Sequence, residues 1–453
     1  MALLIAVVLI PLWFKLRKDF IGGLCYAIGI LLIFTTLVRI EMPGALPQLT
    51  IQRFVILLLF LAWLRHPERR SLREVPFSRL MAIWASLAFI SLLGAVDPVA
   101  GVKRYLEFVL ELFVFYFIVA TTLSSREDAL RLLRSTVIAL SIVAVLAVIE
   151  RNSGVNVVDR FVGSDPEALP TRDVRVTYRH RILFGAGMAM AVPLAAAMIG
   201  LATTKFRRVL AMATVLLTMV ACYYSMSRGP WLGVVCAAMV MVIFGSFAVR
   251  KPILIVAMLS VLVLLANSGV RETLFRSASD TVDTDSFKGG TFQYRLELWR
   301  VAFNGIKGSP WRMLFGNGPA AGLNQTINWE LSYRQKEYRI ESWDNDLAYS
   351  LFQYGVPGVL ATVLLYGGVV WYLLGLTRRS SGPQRDLFVC LCASTVVLFF
   401  MMSNVHIFAR QLYYLFWTVA AVGFALSRFA PKEISKEQVT PAREFEFTTG
   451  PSV

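Results

Sequence analysis

Long apolar runs alternate with short polar connectors along almost the whole chain. They fall at 2–14, 20–38, 51–64, 77–95, 105–123, 133–149, 182–202, 209–224, 231–249, 252–269, 347–376, 387–402 and 411–427. Most approach the ~20 residues that a helix needs to cross hydrocarbon. The pattern predicts an all-α polytopic integral membrane protein with about 12–13 transmembrane helices. Ala2 to Phe14 is short for a full crossing and reads as a retained membrane segment rather than a signal peptide. No internal repeat and no pair of matching broken helices is evident.

Alternate connectors are basic: "KLRKD" (15–19), "RHPERRSLREVPFSR" (65–79), "REDALRLLR" (126–134), "KFRR" (205–208), "RK" (250–251) and "RRSSGPQR" (378–385). By the positive-inside rule these face the cytoplasm, together with the polar tail 428–453, which has the composition of a disordered segment. Two long segments, about 150–181 and 270–346, are then external. The expected organisation is transmembrane helices over 1–269 carrying the first loop, a large external loop 270–346 with short amphipathic helices, C-terminal spans over 347–427, and the tail. In the second loop, "YRLELWRVAFNGI" (294–306) predicts a helix with Trp299, Ala302, Phe303 and Ile306 on one face, lying on the bilayer or packed on the spans.

Composition agrees with this pattern. Of 453 residues, 57% are apolar and only 16% charged, against about a quarter in soluble proteins. Mean hydropathy is +0.63. The net charge of +16 would suggest nucleic acid in a soluble protein; here the basic connectors answer to the bilayer, and no nucleic-acid partner is expected. Cys25, Cys222, Cys236, Cys390 and Cys392 all sit inside apolar runs and read as small buried hydrophobes, without the spacing of a disulfide or zinc site. No metal-binding or cofactor motif appears. "GNGPAAG" (316–322) lacks the lysine of a phosphate-binding loop and reads as a flexible turn. His66, His180 and His406 each read as residues at helix boundaries.

The external segments are unexpectedly rich in arginine: Arg151, Arg160, Arg172, Arg175, Arg179 and Arg181 in the first, then Arg276, Arg295, Arg300, Arg312, Arg334 and Arg339 in the second. Lipid headgroups or solvation explain many such residues. Arg228 differs, because "YYSMSRGPW" confines it to a tight turn between two apolar runs, where an ionised group faces a polar cavity or a partner. Guanidinium groups converging from three such elements would make a receptor for phosphate oxygens. Glu107 and Glu111, four residues apart on one helix with Lys103 and Arg104 beside them, read as an intramembrane pairing that holds spans together, with a proton or ion pathway as the alternative.

An ordered set of segments resembles the O-antigen ligase and O-antigen polymerase superfamily of bacterial envelopes. It comprises "RVTYRHRILFGAGMAMAVPL", "SMSRGPWLG", "YRLELWRVAF", "FGNGPAAG" and "WDNDLAYSLFQYGVPG", over about residues 150 to 425. The resemblance implies a GT-C-like membrane glycosyltransferase architecture in the bacterial inner membrane, with the active site facing the periplasm and the C-terminus in the cytoplasm. It implies an undecaprenyl-pyrophosphate-linked oligosaccharide as donor, an acceptor glycan or glycolipid, and a chain-length regulator as a further partner. It implies that Arg175, Arg228 and Arg295 contact pyrophosphate, with Arg179, His180, Trp299 and Asn345 also on substrate. Ligases hold a functional histidine at the position of Asp344, next to the asparagine matched by Asn345. Here that residue is aspartate and no histidine lies in 270–346, so the polymerase branch is the better match.

Glycosyl transfer from a diphosphate needs cations for the leaving group and a base for the acceptor hydroxyl. Asp344 is the candidate base, with Glu341 in reserve; the ordinary role for Asp344, Asn345 or Asp346 would be to cap the helix that follows. The expected activity is an inverting, metal-independent polymerase of O-antigen or exopolysaccharide repeats. A ligase acting on lipid A core, a secondary transporter and an inactive scaffold subunit are the competing readings.

Overall fold

The computed structural model describes residues 2–34, 39–40, 49–67, 69–156, 173–178, 180–269, 271–272, 275, 279, 287–324, 326–331, 334–340, 343–405 and 410–429. Each apolar run becomes a helix: α1 (Ala2–Lys18), α2 (Phe20–Ile33), α3 (Ile51–Leu64), α4 (Ser78–Ser91), α5 (Pro98–Thr122), α6 (Arg126–Ser153), α7 (Arg181–Gly200), α8 (Lys205–Tyr224), α9 (Arg228–Phe244) and α10 (Phe247–Ala266). Two connecting helices follow, α11 (Phe287–Lys307) and α12 (Pro310–Phe315), and then α13 (Asp346–Arg379), α14 (Gly382–Met401) and α15 (Arg410–Arg428). Six of these, α5 to α8, α13 and α14, are long and apolar enough to cross a bilayer. The protein is an all-α polytopic membrane protein. Small antiparallel pairs join Arg39–Ile40 to Leu49–Thr50 and Thr326–Leu331 to Arg334–Arg339. The second is a hairpin where the sequence suggested only short helices.

Helix starts follow local chemistry. Asp97 Oδ1 accepts from the Ala100 N–H at 3.0 Å ahead of Pro98, and Ser125 and Asp128 form a reciprocal capping box on α6. The core is centred on α15, whose residues Leu412 to Leu426 are buried throughout and include the fully enclosed Trp417, Tyr413, Tyr414 and Phe416. The small residues of α7 let α14 approach its backbone, where Ser394 Oγ donates to the Met190 carbonyl at 3.0 Å.

The charges of the Glu107 and Glu111 stretch are paired, as expected. Arg53 of α3 binds both carboxylates, with its Nε 2.7 Å from Glu111. Arg104, rather than Lys103, completes the group at 3.5 Å from Glu107. Residues Val109–Phe113 form a π turn inside α5, and Glu111 lies on it. In this arrangement the carboxylates tie α5 to α3.

The decisive feature for the site is a break in α13. Gly355 has φ +70° and non-helical ψ, so the helix is two pieces meeting at an angle. The break strands the carbonyls just before it, and the connecting segment satisfies them. Asn317 N donates to Phe352 O at 3.0 Å and Gly318 N to Gln353 O at 3.0 Å. Asn317 Nδ2 also reaches Phe352 O at 3.1 Å, and Ser91 Oγ of α4 donates to Gln353 O at 2.8 Å. "GNGPAAG" is therefore a clasp docked against the break, not a flexible turn. Gly316 at φ +70° would place a Cβ 2.3 Å from the Gln353 backbone, so no side chain fits there.

Candidate functional site

The first piece of α13 holds its N-terminus at the loop-bearing end of the bundle, and Asn345 caps it. Its Oδ1 accepts from the N–H groups of Leu347 at 3.1 Å and Ala348 at 3.0 Å. The cap role thus falls to Asn345, while Asp346 is buried in the first turn with its N–H on Met402 O at 2.9 Å. Asp344 stands outside the helix and half-buried. The segment is pinned from behind by Trp343, whose Nε1 donates to Gly322 O at 2.9 Å and whose ring packs on Tyr349.

Two other elements face Asp344. Arg295 of α11 lies within its electrostatic reach, and burial pulls the Arg295 guanidinium below its ordinary pKa. Arg295 Nε is buried and makes no hydrogen bond among the described residues. α11 is fixed by Leu298, Ala302 and Ile306, which bury against the first piece of α13. That is a correction to the expected face: Trp299 is 38% and Phe303 56% exposed, because the docking stripe runs through Leu298 instead.

His180 is the second neighbour. It caps α7, its Nδ1 accepting from the Ile182 N–H at 3.3 Å. Although its ring is exposed at the open mouth, the surrounding protein strips enough water to push its pKa below the ordinary value. Arg181 and Arg175 push the same way, against Asp344 and Asp173, which act oppositely. Arg181 itself is held by Asp173 in an ion pair. Arg175 sits in the segment leading into α7, half-buried and within electrostatic reach of His180.

Arg228 opens α9 at the same end. Its neighbour Gly229 packs on Met401 and Asn404, and the turn that follows Met401 binds the Asp346 N–H. Pro230 and Ser225 meet Gly185 of α7. The Arg228 turn therefore lies between the helix that His180 caps and the helix that Asp344 precedes. Arg295, Asp344, His180 and Arg175 form an electrostatically linked series, and Arg228 starts α9 at the same end of the bundle. Arg179, Glu341 and His406 lie outside the described residues. Among the described residues, no group of three His, Cys, Asp or Glu is placed to hold a metal ion.

One residue of this region was not singled out from the sequence: Glu150, at the end of α6. It is 4% exposed and accepts the backbone N–H groups of Arg175 and Val176. A carboxylate buried at the end of an apolar run was the available signal; the backbone N–H groups it binds lie 25 and 26 residues away.

A polytopic helical membrane protein with cations and a carboxylate gathered at one end of the bundle is the class that the fold and the site define. Residues 213–363 match the family model described as O-antigen ligase. The match covers Arg228, Arg295, Asp344 and the break in α13, and it supports the O-antigen ligase and polymerase superfamily, a class of membrane glycosyltransferases. No curated protein matched the chain.

Proposed function

We propose that the protein is a polymerase that transfers a glycan from an undecaprenyl diphosphate carrier to the next lipid-linked repeat. The observation that carries this reading is Arg295 within electrostatic reach of Asp344, a half-buried cation whose Nε makes no hydrogen bond among the described residues. A guanidinium placed this way suits a diphosphate oxygen, and the carboxylate suits a hydroxyl proton.

In the reaction, the acceptor hydroxyl oxygen bonds to the anomeric carbon as the bond from that carbon to the phosphate oxygen breaks. The hydroxyl proton passes to Asp344, and the carrier diphosphate leaves with the electron pair. Attack opposite the leaving group inverts the anomeric centre. Arg295, Arg228 and Arg175 offset the charge that grows on the diphosphate. The His180 cap, with Nδ1 accepting, puts the proton of the neutral ring on Nε2 and makes that atom a donor. Proton acceptance then falls to Asp344. Inner-membrane placement with this end in the periplasm accords with a carrier-linked donor.

The acceptor separates polymerase from ligase. Purified protein in liposomes is given lipid-linked repeat units alone, then with added lipid A core. Longer chains on the carrier without lipid A core are the expected product. Transfer that occurs only when lipid A core is supplied would make the protein a ligase, in line with the description of the matching family.

A further inference from the structure

The segment that presents Arg175 is bound to a transmembrane helix by a single buried carboxylate. α6 ends at Gly154, whose N–H closes the helix on the Glu150 carbonyl at 2.9 Å with φ +69°. The Glu150 side chain then points back to the chain where it returns ahead of α7. Its Oε1 accepts from the Arg175 N–H at 3.0 Å. Its Oε2 accepts from the Val176 N–H at 3.0 Å and from Asn156 Nδ2 at 3.0 Å. Asn156 Nδ2 also reaches the Val176 carbonyl at 3.0 Å. Two successive backbone N–H groups thus aim at one anion, the arrangement of a backbone anion nest, but filled by a residue of the same chain.

The geometry has a cost that the carboxylate offsets. Val176 has φ +47°, a left-handed conformation that a β-branched residue seldom adopts. Such a turn persists only where neighbouring contacts over-determine it. Beyond Glu150, Gln411 Nε2 of α15 donates to the Thr177 carbonyl at 3.3 Å, and Val174 N donates to Tyr224 O at 3.3 Å. Asn156 holds the Val176 carbonyl, and Glu150 takes the N–H groups of both Arg175 and Val176.

We propose that Glu150 is the positioning residue of the site: it sets the direction of Arg175 by holding the Arg175–Val176 backbone, and so acts on the reaction without touching substrate. This inference rests on the reading of Arg175 as a diphosphate contact. All three partners of the carboxylate are donors, so the position needs a group that only accepts. Glutamine keeps one oxygen and turns an NH2 toward a donor in a place where water does not compensate. A displacement of about 1 Å in a binding group can cost about 10²-fold in rate.

The experiment compares the full-length protein with Glu150→Gln, Arg175→Ala and the double variant in the lipid-linked donor assay. Hydrogen exchange is followed over 173–178. Glu150→Gln is expected to lower kcat/KM by about 10- to 10²-fold, to speed exchange at Arg175 and Val176, and to add nothing in the Arg175→Ala background. A purely structural role would lower both backgrounds alike, and that additive result overturns the inference. So does wild-type activity in Glu150→Gln when Arg175→Ala is impaired. Full activity in Arg175→Ala removes the diphosphate role of that arginine and this inference with it. If Glu150→Gln does not accumulate, Asn156→Ala removes the tie between Oε2 and the Val176 carbonyl. It is expected to give a smaller loss that again vanishes without Arg175, and an additive loss there also overturns the inference.

Discussion

At the scale of single residues, the site depends on which side chains accept and which donate. His180 illustrates this. Its Nδ1 can cap α7 only while unprotonated. Its pKa is lowered, chiefly by the water that the surrounding protein removes; Asp344 and Asp173 oppose this, and Arg181 and Arg175 add to it. The unfolded chain, with an ordinary value near ~6.5, therefore binds a proton more readily than the folded one. The stabilising contribution is present above that value and is lost as pH falls below it. Thermal unfolding in detergent should show the wild type losing stability on acidification through about 6.5, and His180→Asn, which caps without titrating, losing less. An identical pH dependence in the two would contradict the assignment. Asp344 and Arg228 stood out in the sequence because charge beside an apolar run is costly without a use, and Arg295 stood out through the family resemblance. Glu150 did not, because its meaning lies in the backbone of Arg175 and Val176, which no pattern of side chains reveals.

At the scale of elements, the break in α13 aims the capped half-helix. "YGVPG" carries the signal for it, with Gly355 and Pro357 inside an apolar run, but the run alone reads as one continuous span. What "GNGPAAG" does was hidden for the same reason: its use is to satisfy carbonyls that only a broken helix exposes. Gly355→Ala tests the break. Its Cβ would stand 2.5 Å from the Met313 carbonyl at φ +70°, so about 1–3 kcal/mol of strain is expected from the backbone alone, along with a displaced Asp344 and lost activity. Gly375, in the same helix with open space around it, serves as the control; Gly375→Ala should be neutral or stabilising by about 0.5–1 kcal/mol. Equal melting temperatures for the two variants would show that the break is not required. The exposed flank of α11 is the counter-lesson: helical spacing correctly placed Ala302 and Ile306 on a shared face, but it could not tell that Leu298, rather than Trp299 and Phe303, completes the buried stripe.

At the scale of the whole molecule, each of the thirteen apolar runs holds a helix of the structure, with ends displaced by up to seven residues, as at the starts of α5 and α6, while α11 and α12 fall outside those runs. The arrangement of the helices was not legible in the sequence, because lipid-facing and core-facing residues are alike apolar, and α15 reads no differently from α10 although one is central and the other largely exposed. What the bundle achieves is to bring the starts of α7, α9 and α13 together with α11, so that residues far apart in the chain share one mouth. The most direct measurement of whether this mouth transfers glycans is turnover by protein reconstituted with an undecaprenyl-diphosphate-linked oligosaccharide, followed as carrier diphosphate released together with glycan transferred. Asp344→Asn should lower it by about 10²–10⁴-fold and Arg295→Gln by about 10²–10³-fold, each with the protein still folded. Wild-type release and transfer in both variants would contradict the account.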